Sequence, residues 1–266
     1  MLNAEYRRSL IKKYALSADD ELLTARVIDK YDAAIQKNSV QSTKFLTERD
    51  LLCAVPLLNE LGAPYTLWGG YEEAERVCAI ILPDYLEPDD VKSGKYCPLT
   101  VIRAEYSADE KPGHRDFLGA LMGMGIERDS VGDIVPHDGC CDIVVLRELG
   151  PFVLSGLEKA GRVRLRLSET DRAQGAETAF KQIRDTVASL RLDAIVAAGF
   201  SISRDKAAQA IKAGKVSVGG LEVLKPDRLL GGGEKISLRG SGKILLSEVA
   251  GQSRKGRTII EIKKYV

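Results

Sequence analysis

Hydrophobic positions repeat at helical spacing in the first part of the chain, and they alternate at strand spacing in many segments that follow. One helix start is marked by Thr47 and Asp50, because a hydroxyl followed three residues later by an acid satisfies free N–H groups of a first helical turn. Pro56 lies within the same apolar pattern and is expected to kink or split that helix. The pattern predicts a helical N-terminal region over residues 1–64. We find no combination of side chains in this region that is typical of a reactive site.

Strand and helix patterns alternate between residues 65 and 170. The predicted strands are 77–82, 99–104, 131–135, 142–146 and 162–167, and the predicted helices are 113–124 and 151–159. Two helices interleaved with paired strands are typical of a split β-α-β, ferredoxin-like sheet, an architecture that many RNA-recognition modules use. The predicted fold class is therefore α+β, with a helical N-terminal region, this central ferredoxin-like domain as an RNA-binding candidate, and a further C-terminal module.

A short helical hairpin and the start of a β-hairpin are predicted between residues 191 and 220. Apolar residues recur at helical spacing over 192–199, and Gly199 ends this first helix. Ser203 is a suitable N-cap for a second helix over 204–213. Small alanines on one side of the second helix allow close packing, so its other side, with lysines and an amide, is left to face an external ligand.

The start of the second helix is suited to an anion. The free N–H groups behind Ser203 and the helix dipole favour negative charge there, and the planar guanidinium of Arg204 suits phosphate. Arg191 lies just before the first helix, so we expect it to converge on the same position. A structure in which Arg191 and Arg204 diverge, or are held by internal acids, would overturn this pocket. The alternative is a merely solvated helix face.

The positive charge of the chain is concentrated in its C-terminal third. Residues 187–266 hold 15 Lys and Arg against 7 Asp and Glu, whereas residues 1–186 hold 24 against 31, and the whole chain has a net charge of +1. A basic module on a mildly acidic body is the electrostatic pattern of a polyanion-binding protein. This module, 187–266, follows a polar linker, 171–186, that is expected to become helical near 178–187. The chain's last segment could add an edge strand.

The order and spacing of residues in this module resemble the alpha-L RNA-binding motif of ribosomal small-subunit protein four. The matching residues are Arg-Leu-Asp at 191–193, Ser-Arg at 203–204, Ala-Ala at 207–208, Gly-Lys-Val-Ser-Val-Gly-Gly at 214–220 and Lys-Pro at 225–226. The resemblance implies that the C-terminal domain binds structured RNA. The face that would do so bears Arg191, Ser203, Arg204, Lys206, Gln209, Lys212 and Lys215.

Two further segments extend the resemblance to most of the chain. They are Trp68-Gly69-Gly70-Tyr71 with Ala74-Glu75-Arg76, and HRDFLGALMGMGIERDSVGDI at 114–134. Together with the alpha-L motif they resemble the YlmH family. That resemblance implies a non-catalytic protein that binds rRNA and tRNA on the large ribosomal subunit, in quality control of stalled nascent chains. It also implies a link to cell-division genes, so a division-linked protein-interaction scaffold is the alternative.

A second RNA surface is a weaker hypothesis. Arg162, Arg164 and Arg166 alternate with apolar residues, so in one strand their side chains share a face and could follow a phosphate backbone. A solvated outer face paired with acids is the commoner explanation of such a pattern. The aromatic spacing of an RNA-recognition motif is missing from the predicted strands. Arg115 is a further RNA-contact candidate.

Enzyme readings of the sequence are weaker than the RNA-binding one. The triplet 114–116, His-Arg-Asp, half-resembles the His-Arg-Leu-Asp site of pseudouridine synthases but lacks the leucine. Gly119, Gly123 and Gly125 are spaced too loosely for the glycine loop of a methyltransferase, and they do not follow a strand. We therefore predict no catalytic site and no small-molecule substrate, with an rRNA-modifying enzyme of either class as the less favoured alternative.

The sequence predicts no cofactor, metal or membrane segment. His137 with Cys140 and Cys141 offers at most three ligands on a tight hairpin, where adjacent cysteines point to opposite faces. No apolar run approaches the ~18 residues of a membrane span. The first residues lack the apolar core of a signal peptide, and the five cysteines form no C-x-x-C pair. We expect a cytoplasmic protein with reduced thiols.

Overall fold

The structure is a computed structural model that describes residues 2–107, 109–170, 172–174, 180–253 and 256–265. The chain divides into two compact units, residues 1–176 and 177–266. Each unit encloses hydrophobic core of its own. Within the described part of the chain, no helix combines the length and apolar content needed to cross a bilayer.

The first unit begins with three helices, and their bounds are Ala4–Tyr14 (α1), Ala18–Lys37 (α2) and Glu48–Glu60 (α3). The N-terminal helices predicted from the sequence are thus present. Thr47 caps α3 as expected, since its hydroxyl accepts from the Asp50 N–H at 3.3 Å while the Asp50 carboxylate accepts from the Thr47 N–H at 2.7 Å. The split expected at Pro56 is wrong, because α3 continues through it. Pro56 lies on the exposed side of the helix, where water can satisfy the carbonyl that loses its partner.

A small antiparallel sheet packs with these helices. Its strands are Gln41–Ser42 (β1), Tyr65–Trp68 (β2) and Cys78–Ile81 (β3), in the order β1-β3-β2. Ala79 and Ile81 join Leu10, Ile28 and Leu57 of the helices in one buried cluster. Residues 65–82, expected to belong to the central domain, instead form β2 and β3, which pair with each other, and β3 also pairs with β1.

The rest of the first unit has the ferredoxin-like arrangement expected from the sequence. Its elements are Leu99–Glu105 (β4), His114–Gly123 (α4), Val131–His137 (β5), Cys140–Leu146 (β6), Gly150–Gly156 (α5) and Arg166–Thr170 (β9). The four strands form an antiparallel sheet in the order β5-β6-β4-β9. Buried Phe117 and Leu121 of α4 and Val153 of α5 pack on the sheet beside Ile102 and Ile143.

The single strand predicted at 162–167 is wrong. Lys159–Ala160 (β7) and Val163–Arg164 (β8) form a separate two-stranded hairpin, and the chain enters the main sheet only at Arg166. Gly161 makes the hairpin turn with φ of +58°, a conformation that glycine adopts without strain. The tight turn pairs Val163 back onto Ala160, so the alternating pattern of 162–167 is divided between two sheets.

The second unit is a six-stranded antiparallel sheet covered on one face by two helices. Its elements are Phe180–Val187 (β10), Leu192–Phe200 (α6), Arg204–Lys212 (α7), Val216–Val218 (β11), Leu221–Glu222 (β12), Lys235–Leu238 (β13), Gly242–Gln252 (β14) and Thr258–Tyr265 (β15). The strand order is β10-β15-β14-β13-β11-β12. Buried Val196, Ala207 and Ile211 of the helices pack against Ile244 and Ile262 of the sheet.

Two expectations about the ends of this unit are wrong. Residues 180–187, expected to be helical, form strand β10, and residues 171 and 175–179 of the predicted linker lie outside the described residues. Strand β15 is not at the sheet edge, because it pairs with β10 on one side and β14 on the other. The reason is long-range: β10 and β15 pair along their whole length, which outweighs the local helix tendency of 178–187.

Candidate nucleic-acid interface

The helical hairpin α6–α7 is present as the sequence predicts, but α6 does not end at Gly199: it continues to Phe200, and Ser201 ends it in the left-handed conformation with φ of +56°. The hydroxyl of Ser203 accepts from the backbone N–H of Lys206 at 3.2 Å and so caps α7. Gly199 allows α6 to lie close to the sheet, because a Cβ there would come within 2.4 Å of Cδ1 of buried Ile244. These contacts fix the start of α7 relative to the unit's core.

Arg191 and Arg204 converge, as expected, but they converge on a carboxylate. Arg191 donates to Asp193 from Nε at 3.3 Å and from Nη2 at 3.1 Å, and Arg204 donates from Nη2 to both oxygens at 2.9 and 3.0 Å. The Asp193 side chain is 9% exposed, against 38% for Arg191 and 55% for Arg204. The open anion pocket of the sequence analysis is therefore wrong, since an internal acid occupies the point where the two guanidiniums meet.

The electrostatic result is a cationic triad, which we call the Asp193 triad: Arg191, Asp193 and Arg204. Burial by itself would raise the pKa of Asp193, but hydrogen bonds from Arg191 and then Arg204 outweigh it, so the pKa lies below its ordinary value. Two guanidiniums share one carboxylate, so the triad keeps a net charge of +1. The carboxylate orients both guanidiniums, whose outer sides remain exposed.

The other predicted residues of this face are exposed. Buried Ala207 and Ile211 turn one side of α7 to the core, as the alanine pattern indicates. The opposite side presents Ser203, Lys206, Gln209 and Lys212, and Lys215 follows in the next loop. Asp193 is part of the alpha-L motif, but the sequence analysis assigns it no role. The signal that could have identified its role is its position: an acid in the first turn of a helix, lying in the sequence between two arginines of the motif.

The arginines of the hypothetical second surface do not form one ladder. Arg162 lies in the β7–β8 turn, Arg164 in β8 and Arg166 in β9, and all are exposed. Arg115 is exposed in the first turn of α4. That turn lies against the hairpin, because a Cβ on Gly161 would come 3.0 Å from Oδ1 of Asp116. The α4 start and the hairpin turn therefore bring Arg115 and Arg162 to neighbouring positions.

The two segments that extended the resemblance meet in the structure of the first unit. The Asp133 carboxylate accepts from the Tyr71 hydroxyl at 2.8 Å and from the backbone N–H groups of Glu75 and Arg76 at 2.7 and 3.2 Å. The Arg76 guanidinium donates to the carbonyls of Val131 and Phe45. Burial raises the pKa of Asp133 despite these hydrogen bonds. The contacts tie the 71–76 loop to β5, which is a structural role.

His114 and Arg128 lie close to this cluster. Burial and the neighbouring Arg128 lower the pKa of His114, so the imidazole is neutral near pH 7. Arg128 donates through Nη1 to the carbonyls of Val131 and Gly132. Among the described residues, no group of three or more His, Cys, Asp and Glu side chains is placed to hold a metal ion.

Residues 190–236 match the family described as "S4 domain", and residues 103–174 match the family described as "Putative RNA-binding domain in YlmH". The fold and these matches define the class: an RNA-binding protein whose C-terminal unit carries an S4 domain, the alpha-L motif of the sequence analysis.

A Bacillus subtilis (strain 168) protein named "Ribosome-associated protein quality control protein P2" is 34% identical to this chain over 221 residues, which are 81% of this chain and 83% of that protein. The chain belongs to the YlmH family. A solved structure titled "Cell division protein ylmH from Streptococcus pneumoniae" is 21% identical, with a TM-score of 0.48 over 58% of this chain and 93% of that chain.

Proposed function

We propose that this protein is a non-catalytic, ribosome-associated RNA-binding protein that grips structured RNA through the exposed face of α7 and the Asp193 triad. The main support for this proposal is that one nearly buried carboxylate, that of Asp193, orients two half-exposed guanidiniums. A planar guanidinium binds phosphate oxygens through paired N–H groups, and prior orientation reduces the entropy lost on binding. The triad is therefore a positioned phosphate contact rather than an empty anion pocket.

The lysines of the same face have a different role in this proposal. Lys206, Lys212 and Lys215 are exposed, and lysine side chains act on phosphate as mobile point charges. They supply salt-dependent affinity through release of counterions from the RNA. Ser203 and Gln209 add neutral hydrogen-bonding groups between the charges.

The proposed targets are rRNA and tRNA on the large ribosomal subunit, in the cytoplasm, during quality control of stalled nascent chains. Support comes from the printed name of the Bacillus relative, which is a ribosome-associated quality control protein. The charge distribution agrees, because the excess of Lys and Arg lies in the C-terminal third.

A second RNA contact is proposed where α5 meets the β7–β8 hairpin. Arg162 and Arg164 line an open polar groove there with Lys159, Ser155 and Glu158. The groove lies within residues 103–174. We expect the double variant Arg162→Ala/Arg164→Ala to lower RNA affinity about threefold, since these arginines are exposed and form no ion pair with Glu158 of the same groove that would orient them. Fluorescence anisotropy at fixed salt checks this, and an unchanged affinity contradicts it.

Sedimentation of the full chain with ribosomes tests the main proposal. The wild type is expected to travel with large subunits at low salt and to leave them at high salt. The variant Lys206→Glu/Lys212→Glu should stay at the top of the gradient. Arg8→Glu/Lys12→Glu is the matched control, because it changes charge equally at exposed positions of α1 and should still sediment with large subunits. A wild type that stays at the top at every salt concentration contradicts ribosome binding and favours a scaffold.

A further inference from the structure

Opposite the helices, the sheet of the second unit has a face that none of this unit's described helices covers. Ile183, Leu246 and Ile262 belong to the unit's core and lie on the face that α6 and α7 cover. Because side chains alternate along a strand, residues an odd number of positions away point to the opposite face. This outer face carries Phe180, Gln182, Arg184, Lys235, Lys243, Leu245, Glu261, Lys263 and Tyr265.

An aromatic pair stands at one end of the outer face. Phe180 on β10 and Tyr265 on β15 are direct cross-strand partners, with ring centroids 4.9 Å apart at 70°. Lys263 Nζ lies 5.6 Å from the Phe180 ring centroid. Phe180 is 39% exposed, so burial in the core does not explain why a phenylalanine stands there.

The charge of the outer face complements a polyanion. It carries Arg184, Lys235, Lys243 and Lys263 against two acids, Glu261 and its cross-strand partner Glu248. Arg184 Nε is 3.8 Å from Glu261 Oε1, but both side chains are largely exposed, so this pair is weak. A protein ligand would need an apolar patch, whereas this face presents the Phe180–Tyr265 pair with lysine beside it.

Phe180 lies on an edge strand of the sheet. Strand β10 is at the edge of the six-stranded sheet, and β15 is its neighbour on the inner side. No further strand of the described sheet continues past Phe180. A ring at a sheet edge, beside lysines, is the arrangement on which unpaired nucleic-acid bases stack while cations follow the backbone.

We propose that the outer face is a stacking platform for an unpaired segment of RNA, with Phe180 as the base-stacking residue and Lys263 and Lys235 on the phosphates. The inference rests on the proposed RNA-binding function, and it adds a site outside residues 190–236. Because α7 covers the opposite face of the sheet, the platform must hold a different segment of RNA from the one bound by the Asp193 triad.

The test measures binding of the full chain to two probes at fixed salt, a short oligouridine and a blunt RNA duplex. Phe180→Leu keeps an apolar strand residue but removes the ring, so it should weaken oligouridine binding about tenfold and leave duplex binding unchanged. Phe180→Trp should retain oligouridine binding and show fluorescence quenching on addition of the probe. Tyr6→Leu is the matched control, because Tyr6 in α1 is 40% exposed.

The outcomes separate this inference from the main proposal. A wild type that binds neither probe overturns both. A wild type that binds RNA while Phe180→Leu binds oligouridine equally well overturns the platform alone. Equal losses for oligouridine and duplex also overturn it, because stacking requires unpaired bases. A selective loss for oligouridine, restored in Phe180→Trp, supports it.

Discussion

Each unit of this protein holds a nearly buried aspartate against arginine, and the two arrangements differ in stoichiometry and exposure. In the first unit Asp142 is 0% exposed and pairs with one arginine, since Arg103 donates from Nε and Nη2 at 2.8 Å to its two oxygens. The same carboxylate accepts from the backbone N–H of Gln174 at 2.7 Å. In the second unit Asp193 is shared by two arginines whose outer sides are exposed.

The difference in exposure distinguishes an ion pair that stabilises the fold from one that belongs to an RNA-binding interface. A closed pair of one acid and one arginine cancels its charge and uses its hydrogen bonds internally, so removing the acid should affect stability. An acid shared by two exposed arginines leaves a positive charge facing outward, so removing one arginine should affect binding.

The largest effect is expected for Asp142→Ala. It leaves the Arg103 guanidinium and the Gln174 N–H without their buried partner, which should lower the free energy of unfolding of the first unit by about 3 kcal/mol. Urea unfolding followed by fluorescence measures this, because the chain's one tryptophan, Trp68, is buried in that unit. The exposed neighbour Asp138→Ala is the control. Equal stabilities of the two variants would remove the structural interpretation.

The next largest effect is expected for Arg204→Ala, in RNA binding. Loss of a charge-assisted contact to phosphate should weaken affinity about tenfold, while the free energy of unfolding changes by less than about 1 kcal/mol, as for an exposed ion pair. Arg204→Lys should be intermediate, because it keeps the charge but not the planar fork. Arg8→Ala is the matched control on α1. Binding equal to that of the control would refute the assignment.

A smaller effect on RNA affinity is expected for Asp193→Asn, and its direction is opposite to the one that net charge alone would predict. The substitution adds one positive charge to the protein, yet it weakens the hydrogen bonds that orient Arg191 and Arg204. We expect RNA affinity to fall about threefold. A rise in affinity, measured by anisotropy at the same salt concentration, would show that only net charge matters.

The smallest effect is expected in the pH dependence of the second unit. The pKa of Asp193 is lowered in the folded state, so its pairing stabilises the fold above the unfolded pKa of about 3.9 and is lost as pH falls through the folded value. Hydrogen exchange of the α6 amides should differ between wild type and Asp193→Asn throughout the range from pH 7 to 5, and the difference should begin to narrow only below about pH 4, disappearing as the pH falls through the folded pKa. A difference that persists at lower pH contradicts this linkage.

Much of the candidate interface could be predicted because it depends on short-range periodicity. Ser203 caps α7, alanines face the core, and Lys206, Gln209 and Lys212 face outward, all within one helix of nine residues. The ferredoxin-like strand and helix order could be predicted for the same reason. The β7–β8 hairpin was missed, because its alternating pattern is equally compatible with one straight strand.

From the sequence alone we could predict most of the helices, the polar face of α7, the location of the positive charge and the family that the motifs resemble, but not that residues 180–187 form a strand. The three-dimensional structure was needed to show that Asp193 pairs with both Arg191 and Arg204, that β10 pairs with β15, and that the Phe180 and Tyr265 rings are in contact on the outer face. Local patterns encode the orientation of a side chain relative to its own element. Contacts between elements depend on which surfaces pack together, and no spacing along the chain specifies that.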